Sequence, residues 1–485
     1  MKVCITAEGT YPITAGGVSY WIHSIIENNP DIDFYVVAIV PTDMTTSKFE
    51  KPDNLKKIIY IQVPKDVEKY TSTVKDKASK DIASKLIAFH ELLRSYDFVT
   101  AAKLLSSIYV YIQKRKEKLW KLDEVWPFFE KEYTKRYREQ PFFKYLTAWK
   151  NTHATLLAIM ASEIPEADVY HATNSGFAGV AALLGSIIYN KPLMVTDHGI
   201  FIKELSMRLD NSDMPVLERV MLKRIGVTLS TFVYNTANLI TTVCKYNKQW
   251  LVKHIGIPEK FVRVVYNGID TNYFRPLLVP KEPNLVGTIT RVYDLKNIKN
   301  FIKAAHLVLQ EVPEAKFTVI GPIADQEYLD ECNRLIDVLG ISGKFNFMGP
   351  STNPVFWYNV LSVFVLSSAS EAFPLSTIEA MACGTPVVVT DVGGAAEAVD
   401  GAGFVVPPFD SKALAEKIIW LLKHPEEREK MGEYARKRAI EAFSKEIFIK
   451  QFHDIYLGLN NTMWIPIQKR VLLECGMRTQ AKSKR

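Results

Sequence analysis

At 485 residues the chain exceeds one ordinary hydrophobic core and implies two or three domains. Its 48% hydrophobic, 11% aromatic and 23% charged residues exclude disorder, collagen-like repeats and a coiled-coil rod. The formal net charge of +7, from 60 Lys+Arg against 53 Asp+Glu spread along the chain, gives little support to a nucleic-acid partner and leaves open an anionic small molecule or a membrane surface.

The chain opens on an apolar run, Val3 to Ala7, then a Gly16-Gly17 turn, a helical stretch Val18 to Glu27 and a second apolar run Phe34 to Val40. This is strand, helix, strand. Further short β-branched runs at Ile58 to Val63, Val169 to His171, Leu193 to Thr196, Leu239 to Val243 and Val262 to Val265 suit a parallel sheet covered on both faces. Between them, Asp66 to about Glu163 contains no glycine and repeats apolar residues at helical spacing, as in Ile82, Leu86, Phe89 and Leu93. It is expected to be a helical insertion of about residues 66–163.

Turn residues at Asn267-Gly268-Ile269-Asp270 and prolines at Pro276 and Pro283 mark a linker, after which strand and helix alternate again from Leu285 to Pro407. The expected fold class is α/β, with two doubly wound, Rossmann-like lobes facing a cleft. The domains are expected at 1–276, 277–450 and 451–485, the last being a helix and basic tail that returns to the first lobe. Five widely spaced cysteines without a Cys-x-x-Cys pair suggest neither a disulfide framework nor a zinc site. No apolar stretch reaches 18 residues, and the first run is too short for a signal peptide, so a soluble, cytoplasmic protein is expected.

The most informative stretch runs from Ser367 through Glu371, Phe373, Pro374, Leu375, Ser376, Thr377 and Glu379 to Pro386. It leaves a strand, turns and opens a helix, which is where a doubly wound sheet binds ligands and where a helix N-terminus favours a phosphate. Taken alone, Ser376 with Glu379 three residues later is also an ordinary capping box. Glu371, seven intervening residues and Glu379, followed by Ala-Met-Ala-x-Gly-x-Pro-Val-Val, strongly resemble the donor-site motif of family-four glycosyltransferases of the GT-B fold. Arg291 and Lys296, just after the first strand of that lobe, resemble the family's basic pair for a diphosphate, and Gly393-Gly394-x-x-Glu397 matches another of its turns.

The resemblance implies a retaining, metal-independent hexosyltransferase using a nucleotide-diphosphate sugar, with UDP-glucose as the expected donor and no cofactor. It puts Glu371 by the transferred sugar, Glu379 on the ribose, and Arg291 and Lys296 on the diphosphate. The acceptor class is a saccharide or lipid-linked hydroxyl compound, with no nucleic acid and a peripheral membrane or biosynthetic-complex contact left open. Gly16 and Gly17 let a backbone approach the donor. The run from Glu8-Gly9-Thr10-Tyr11-Pro12 to Gly16-Gly17-Val18-Ser19 looks like the PelF-like branch, the exopolysaccharide glycosyltransferases.

His198, in Thr196-Asp197-His198-Gly199, resembles the family histidine that reaches the transferred sugar; Glu204 and Arg208 follow as candidates for acceptor or phosphate, or as a surface helix. His171 is more simply a hydrogen-bonded structural residue. Asp31-Ile32-Asp33 has the form of a metal-binding Asp-x-Asp but precedes a strand, so a loop is expected there and no metal site. The rival readings are a sugar-nucleotide epimerase of the same fold and a non-catalytic sugar-nucleotide-binding subunit.

Overall fold

The computed structural model describes residues 1–41, 44, 46–63, 77–115 and 122–470. Residues 64–76, with which the expected 66–163 insertion begins, residues 116–121 within it, and residues 471–485, which include the basic end Lys482–Arg485, lie outside them. The chain divides into two compact units, one of Met1–Thr242, Lys248–Arg263 and Phe452–Arg485, the other of Val243–Asn247 and Val264–Gln451.

The first unit holds strands β1 (Lys2–Glu8), β2 (Asp33–Pro41), β3 (Leu55–Val63), β4 (Val169–Ala172), β5 (Leu193–Asp197), β6 (Leu239–Thr242) and β7 (Val262–Val264) in the order β3-β2-β1-β4-β5-β6-β7. The pairings of β1 with β2 and β4 are parallel, as are those from β4 through β6. All residues of β4 and β5 are buried, which is why these strands read as unbroken apolar runs rather than as alternating ones.

Between β3 and β4 stand helices Lys77–Arg94, Phe98–Arg115, Leu122–Arg136 and Phe142–Ala161. They are not an appendage. Phe89, Leu105, Ile108, Trp149 and Leu157 share one hydrophobic core with Ile39 and Ile61 of the sheet and with Phe232 of helix Val216–Thr236. Tyr109 fastens the segment further by donating to the carbonyl of Ser162 at 2.8 Å and accepting from the amide of Ile164 at 3.0 Å.

The end of the chain completes this unit. Within helix Lys445–Leu459, the Tyr456 hydroxyl meets His171 Nδ1 at 2.7 Å, and Phe452 packs edge-on to Trp21. Trp464 then donates to the Thr236 carbonyl at 2.9 Å, and Ile467 is buried in the core. His171 Nε2 lies 2.6 Å from Thr196 Oγ1, so both ring nitrogens are engaged and the residue is structural.

The second unit contains β8 (Leu285–Ile289), β9 (Lys316–Ile320), β10 (Phe345–Gly349), β11 (Val363–Leu366), β12 (Val387–Thr390) and β13 (Gly403–Val406) in the order β10-β9-β8-β11-β12-β13, all parallel. Side-chain alternation sorts its strands between two cores. Val363, Val365 and Val388 join Phe301 and Phe317 on one face, and Phe364, Leu366, Val387 and Val389 join Ile378 and Phe443 on the other. In both units the strand order reverses direction beside the first strand, and ligands of doubly wound sheets bind at the carboxyl ends of strands at that switch. No helix of the described residues is long and apolar enough to cross a membrane.

Candidate active site

In the second unit the switch lies between β8 and β11, which pair directly. The loop after β8 carries Arg291 and Lys296; the loop after β11 carries Glu371. Two bonds pin them together, from the Ala369 amide to the Leu295 carbonyl at 2.8 Å and from the Ser367 hydroxyl to the Lys296 carbonyl at 3.0 Å. Lys296 Nζ consequently sits 2.6 Å from Glu371 Oε1, with side chains only 17% and 13% exposed. Ser368 donates to the same oxygen at 2.7 Å. Arg291 is exposed, its guanidinium 5.2 Å from the Tyr293 ring centre.

Helix Leu375–Ala382 begins immediately beyond, after Pro374. No side chain caps it, so the capping-box alternative for Ser376 and Glu379 does not hold: Glu379 instead accepts from the Tyr358 hydroxyl at 2.6 Å. Burial raises the Glu379 carboxyl above its ordinary range, opposed by that hydrogen bond. The first-turn N–H groups and the positive end of the helix are thus not committed to a side-chain cap. Thr377 is buried with its hydroxyl unpartnered. The ring of Phe373 is core, 5.5 Å from Tyr266 and 5.4 Å from Phe443, which leaves only its backbone for a ligand.

Gly393 and Glu397 have separate jobs. Gly393 has φ +55°, and a Cβ there would lie 1.8 Å from the Glu371 carbonyl oxygen. Gly401, at φ +84°, has nothing within 4 Å of the same position. Gly401→Ala is therefore expected to cost about 1–2 kcal/mol for the left-handed backbone alone, and Gly393→Ala about 2–4 kcal/mol because the Glu371 loop must also move. Urea denaturation of the two variants measures this, and equal losses would refute the overlap. Glu397 accepts from the amide of Lys245 at 2.8 and 3.0 Å and from the Tyr266 hydroxyl at 2.8 Å, securing the Val243–Asn247 segment to this unit.

In the first unit, the ends of β1, β4 and β5 surround a pocket of about 640 Å³ lined by Glu8, Thr10, Asn174, Asp197, His198 and Arg208, among others. His198 packs edge-on to Trp21 at 4.4 Å, and its Nε2 is buried without a hydrogen-bond partner. Burial lowers its pKa to about 3, so the ring is neutral. Glu8 is raised by burial, opposed by Arg208 and by the amides of Ala178 and Phe177, and its Oε2 has no partner. Asp197 is pushed up to about 8 by burial while accepting from the Tyr234 hydroxyl at 2.5 Å. Glu204 and Arg208 line this pocket rather than a bare surface helix.

Gly16 is extended, φ −175°, which any residue adopts, and the space beside it is open; the left-handed residue of this loop is Gly9, φ +63°. Asp31 and Asp33 lie at the amino end of β2, where Asp31 pairs with His453 at 3.0 Å and Asp33 with Lys56 at 3.2 Å. Among the described residues no group of three or more His, Cys, Asp or Glu could hold a metal ion.

Two parallel-sheet lobes of this kind define the GT-B class of glycosyltransferase architecture, and the chain has that fold. It superposes on HepE of Anabaena, solved with UDP, with a TM-score of 0.62 at 15% identity over 94% of this chain and 100% of that one. Sucrose-phosphate synthase of Thermosynechococcus elongatus gives 0.60 at 16% identity over 94% and 98%. The chain belongs to the family described as Domain of unknown function (DUF3492), whose model matches residues 1–258, and residues 270–438 match the model described as Glycosyl transferases group 1.

Among curated relatives, the capsular polysaccharide biosynthesis glycosyltransferase CapM of Staphylococcus aureus is 30% identical over 200 residues, 41% of this chain and 51% of CapM. The N-acetyl-alpha-D-glucosaminyl L-malate synthase of Bacillus anthracis is 29% identical over 210 residues, 41% of this chain and 54% of its own length. The chain thus spans about half the length of these two relatives.

Proposed function

We propose that the protein is a glycosyltransferase that moves a hexose from a nucleotide-diphosphate sugar, UDP-glucose in the simplest case, to a hydroxyl of a saccharide or lipid-linked acceptor. The proposal includes retention of configuration, independence of metal, and membership of the PelF-like branch, for which the Glu8 to Ser19 run and the helical segment before β4 speak. The observation that carries it is the gathering of Arg291, Lys296, Glu371 and the start of helix Leu375–Ala382 at the switch point of the second sheet.

A departing nucleoside diphosphate accumulates negative charge on its leaving oxygen. Fixed cations and helix N–H groups aimed there lower the barrier without reorganising during the reaction. In a front-face displacement the bond from the anomeric carbon to the phosphate oxygen breaks, and the electron pair stays on that oxygen. The acceptor oxygen bonds to the same face, and its proton passes to the departing phosphate. Arg291 and Lys296 serve that phosphate in this scheme. Glu371, whose Oε1 is occupied by Lys296 and Ser368, offers Oε2 to a sugar hydroxyl, while Glu379, engaged by Tyr358 at Oε2, offers its other oxygen to the ribose. His198, neutral and with a free Nε2, is suited to a sugar hydroxyl in the first unit's pocket, beside Glu8 and Asp197.

Incubation with a panel of nucleotide sugars should release nucleoside diphosphate, and an epimerase would instead return a different nucleotide sugar. Release is expected to survive excess EDTA, and proton NMR of the first product from an α-linked donor should show an α linkage. EDTA-sensitive release would overturn metal independence, and a β product would overturn retention, each separately.

A further inference from the structure

We infer that the helical part of the first unit carries a second binding site, for an anionic amphiphile with a phosphate head on a short apolar body. Helices Lys77–Arg94, Leu122–Arg136, Phe142–Ala161 and Val216–Thr236 line a pocket of about 220 Å³. The pocket is partly open to solvent; since a cavity of about 150 Å³ accommodates benzene, its volume has room for roughly eight to ten carbons. Its apolar wall includes Phe89, Leu93, Tyr145, Trp149, Met221 and Leu229.

The charged lining is unbalanced. Among the described residues, Arg94, Arg136 and Arg224 line the pocket with one carboxylate, Glu132. Arg94 takes both oxygens of Glu132 at 2.8 and 2.7 Å, and Arg136 Nε is 3.5 Å from Glu132 Oε2. Arg224 donates to a neutral group in the pocket wall, the Tyr137 hydroxyl at 3.2 Å. His90 and His153, at about 3 and about 4 through burial, are neutral and add no charge. Arg94, Arg136 and Arg224 are all exposed, so they stand at the mouth of the pocket, where a phosphate monoester would take charge-assisted hydrogen bonds from guanidinium groups in excess over the one described carboxylate.

A second cavity continues the charge outward. An adjoining groove of about 560 Å³ shares Arg136 and Tyr137 with the pocket and adds Lys135 and Arg138 against one carboxylate, Glu139, opposite exposed Val216 and Val220. An apolar body inside and a head at Arg136 and Arg224 would therefore meet further cations on leaving the pocket. The lining of this helical pocket shares no residue with the pocket at Glu8 and His198.

Calorimetric titration with octyl phosphate, below the concentration at which it forms micelles, tests the site on the full chain. One-to-one binding is expected, at least tenfold tighter than that of inorganic phosphate or octanol. An Arg136→Ala/Arg224→Ala variant should weaken it at least tenfold, and Met221→Trp should abolish it by filling the void. Melting curves check that each variant folds, and Leu229→Phe replaces Met221→Trp if the latter does not. Octyl phosphate binding no tighter than inorganic phosphate overturns the inference, as does binding that the folded variants keep. Co-sedimentation with phosphatidylglycerol vesicles in the absence of octyl phosphate binding also overturns it, because a surface rather than a pocket would then be responsible.

Discussion

Arg291→Ala is expected to slow donor turnover about a hundredfold or more while shifting unfolding free energy by less than about 1 kcal/mol. The side chain is exposed, and its one described contact is the face of Tyr293, so its loss costs little in the fold. Its charge is instead aimed at the proposed leaving group, where removal of one stabilising group costs about 10² to 10³ in rate. Lys296→Ala should behave differently. It takes the partner from a largely enclosed carboxylate, so turnover and stability should both fall, the latter by about 1–3 kcal/mol. Adding Glu371→Gln should restore most of the stability and none of the turnover. Nucleoside diphosphate release and urea denaturation measure the two quantities, and a double variant that recovers activity would end the assignment of Lys296 to the diphosphate.

The acid sensitivity of the first unit should trace in part to His90 and His153. Burial lowers their pKa values to about 3 and about 4, against roughly 6.5 in an unfolded chain. Below pH 6.5 the unfolded state therefore takes up protons that the native state refuses, so stability is complete above 6.5 and is lost as the pH falls. Each group contributes about 1.4 kcal/mol per pH unit in that window. A His90→Gln/His153→Gln variant should be less stable than the wild type at pH 7.5, since His153 loses its 4.0 Å stack on Trp149 and its 2.8 Å bond to the Trp149 carbonyl. By pH 5.5 the gap should narrow by about 2–3 kcal/mol. His171 and His198 act in the same sense and Asp197 in the opposite one, but these are common to both proteins and cancel in the comparison. A gap that is unchanged or wider at pH 5.5 would show that the two rings are not held neutral.

The inner strands of both sheets were legible because β4, β5, β11 and β12 are buried on both faces and β1 nearly so, whereas the edge strands β3 and β10 carry exposed positions and show only through their β-branched and aromatic residues. Residues after strands were legible for the same reason, and the Lys296 and Glu371 loops were found separately. Their contact was not. It spans 75 positions in sequence and exists because β11 lies beside β8, a neighbour relation that no local pattern carries. Ser368 and Tyr358 were missed with it, since a hydroxyl reveals its partner only once the partner is placed. Glu8 and Asp197 were passed over as strand ends. An acid that closes an apolar run at the carboxyl edge of a parallel sheet was an available signal, for it enters a pocket rather than solvent. Helical spacing marked the segment before β4 but did not show that its helices share the sheet's core, because periodicity gives a buried face and not what buries it.

The first unit is assembled from both ends of the chain, and this orders events during synthesis. A ribosome delivers the chain from the N-terminus, and domains generally fold as units as they emerge. When Arg263 has been made, β1 to β6 are present, but Phe452, Tyr456, Trp464 and Ile467 are not. Until they arrive, Trp21 and His171 lack their covering, and His171 lacks the hydroxyl that satisfies Nδ1. The second unit, whose last residues are made before those four, has no such wait. A nascent or prematurely terminated chain would therefore hold a second unit with all its parts beside a first unit with an uncovered apolar and polar seam, the kind of surface that chaperones and proteases recognise.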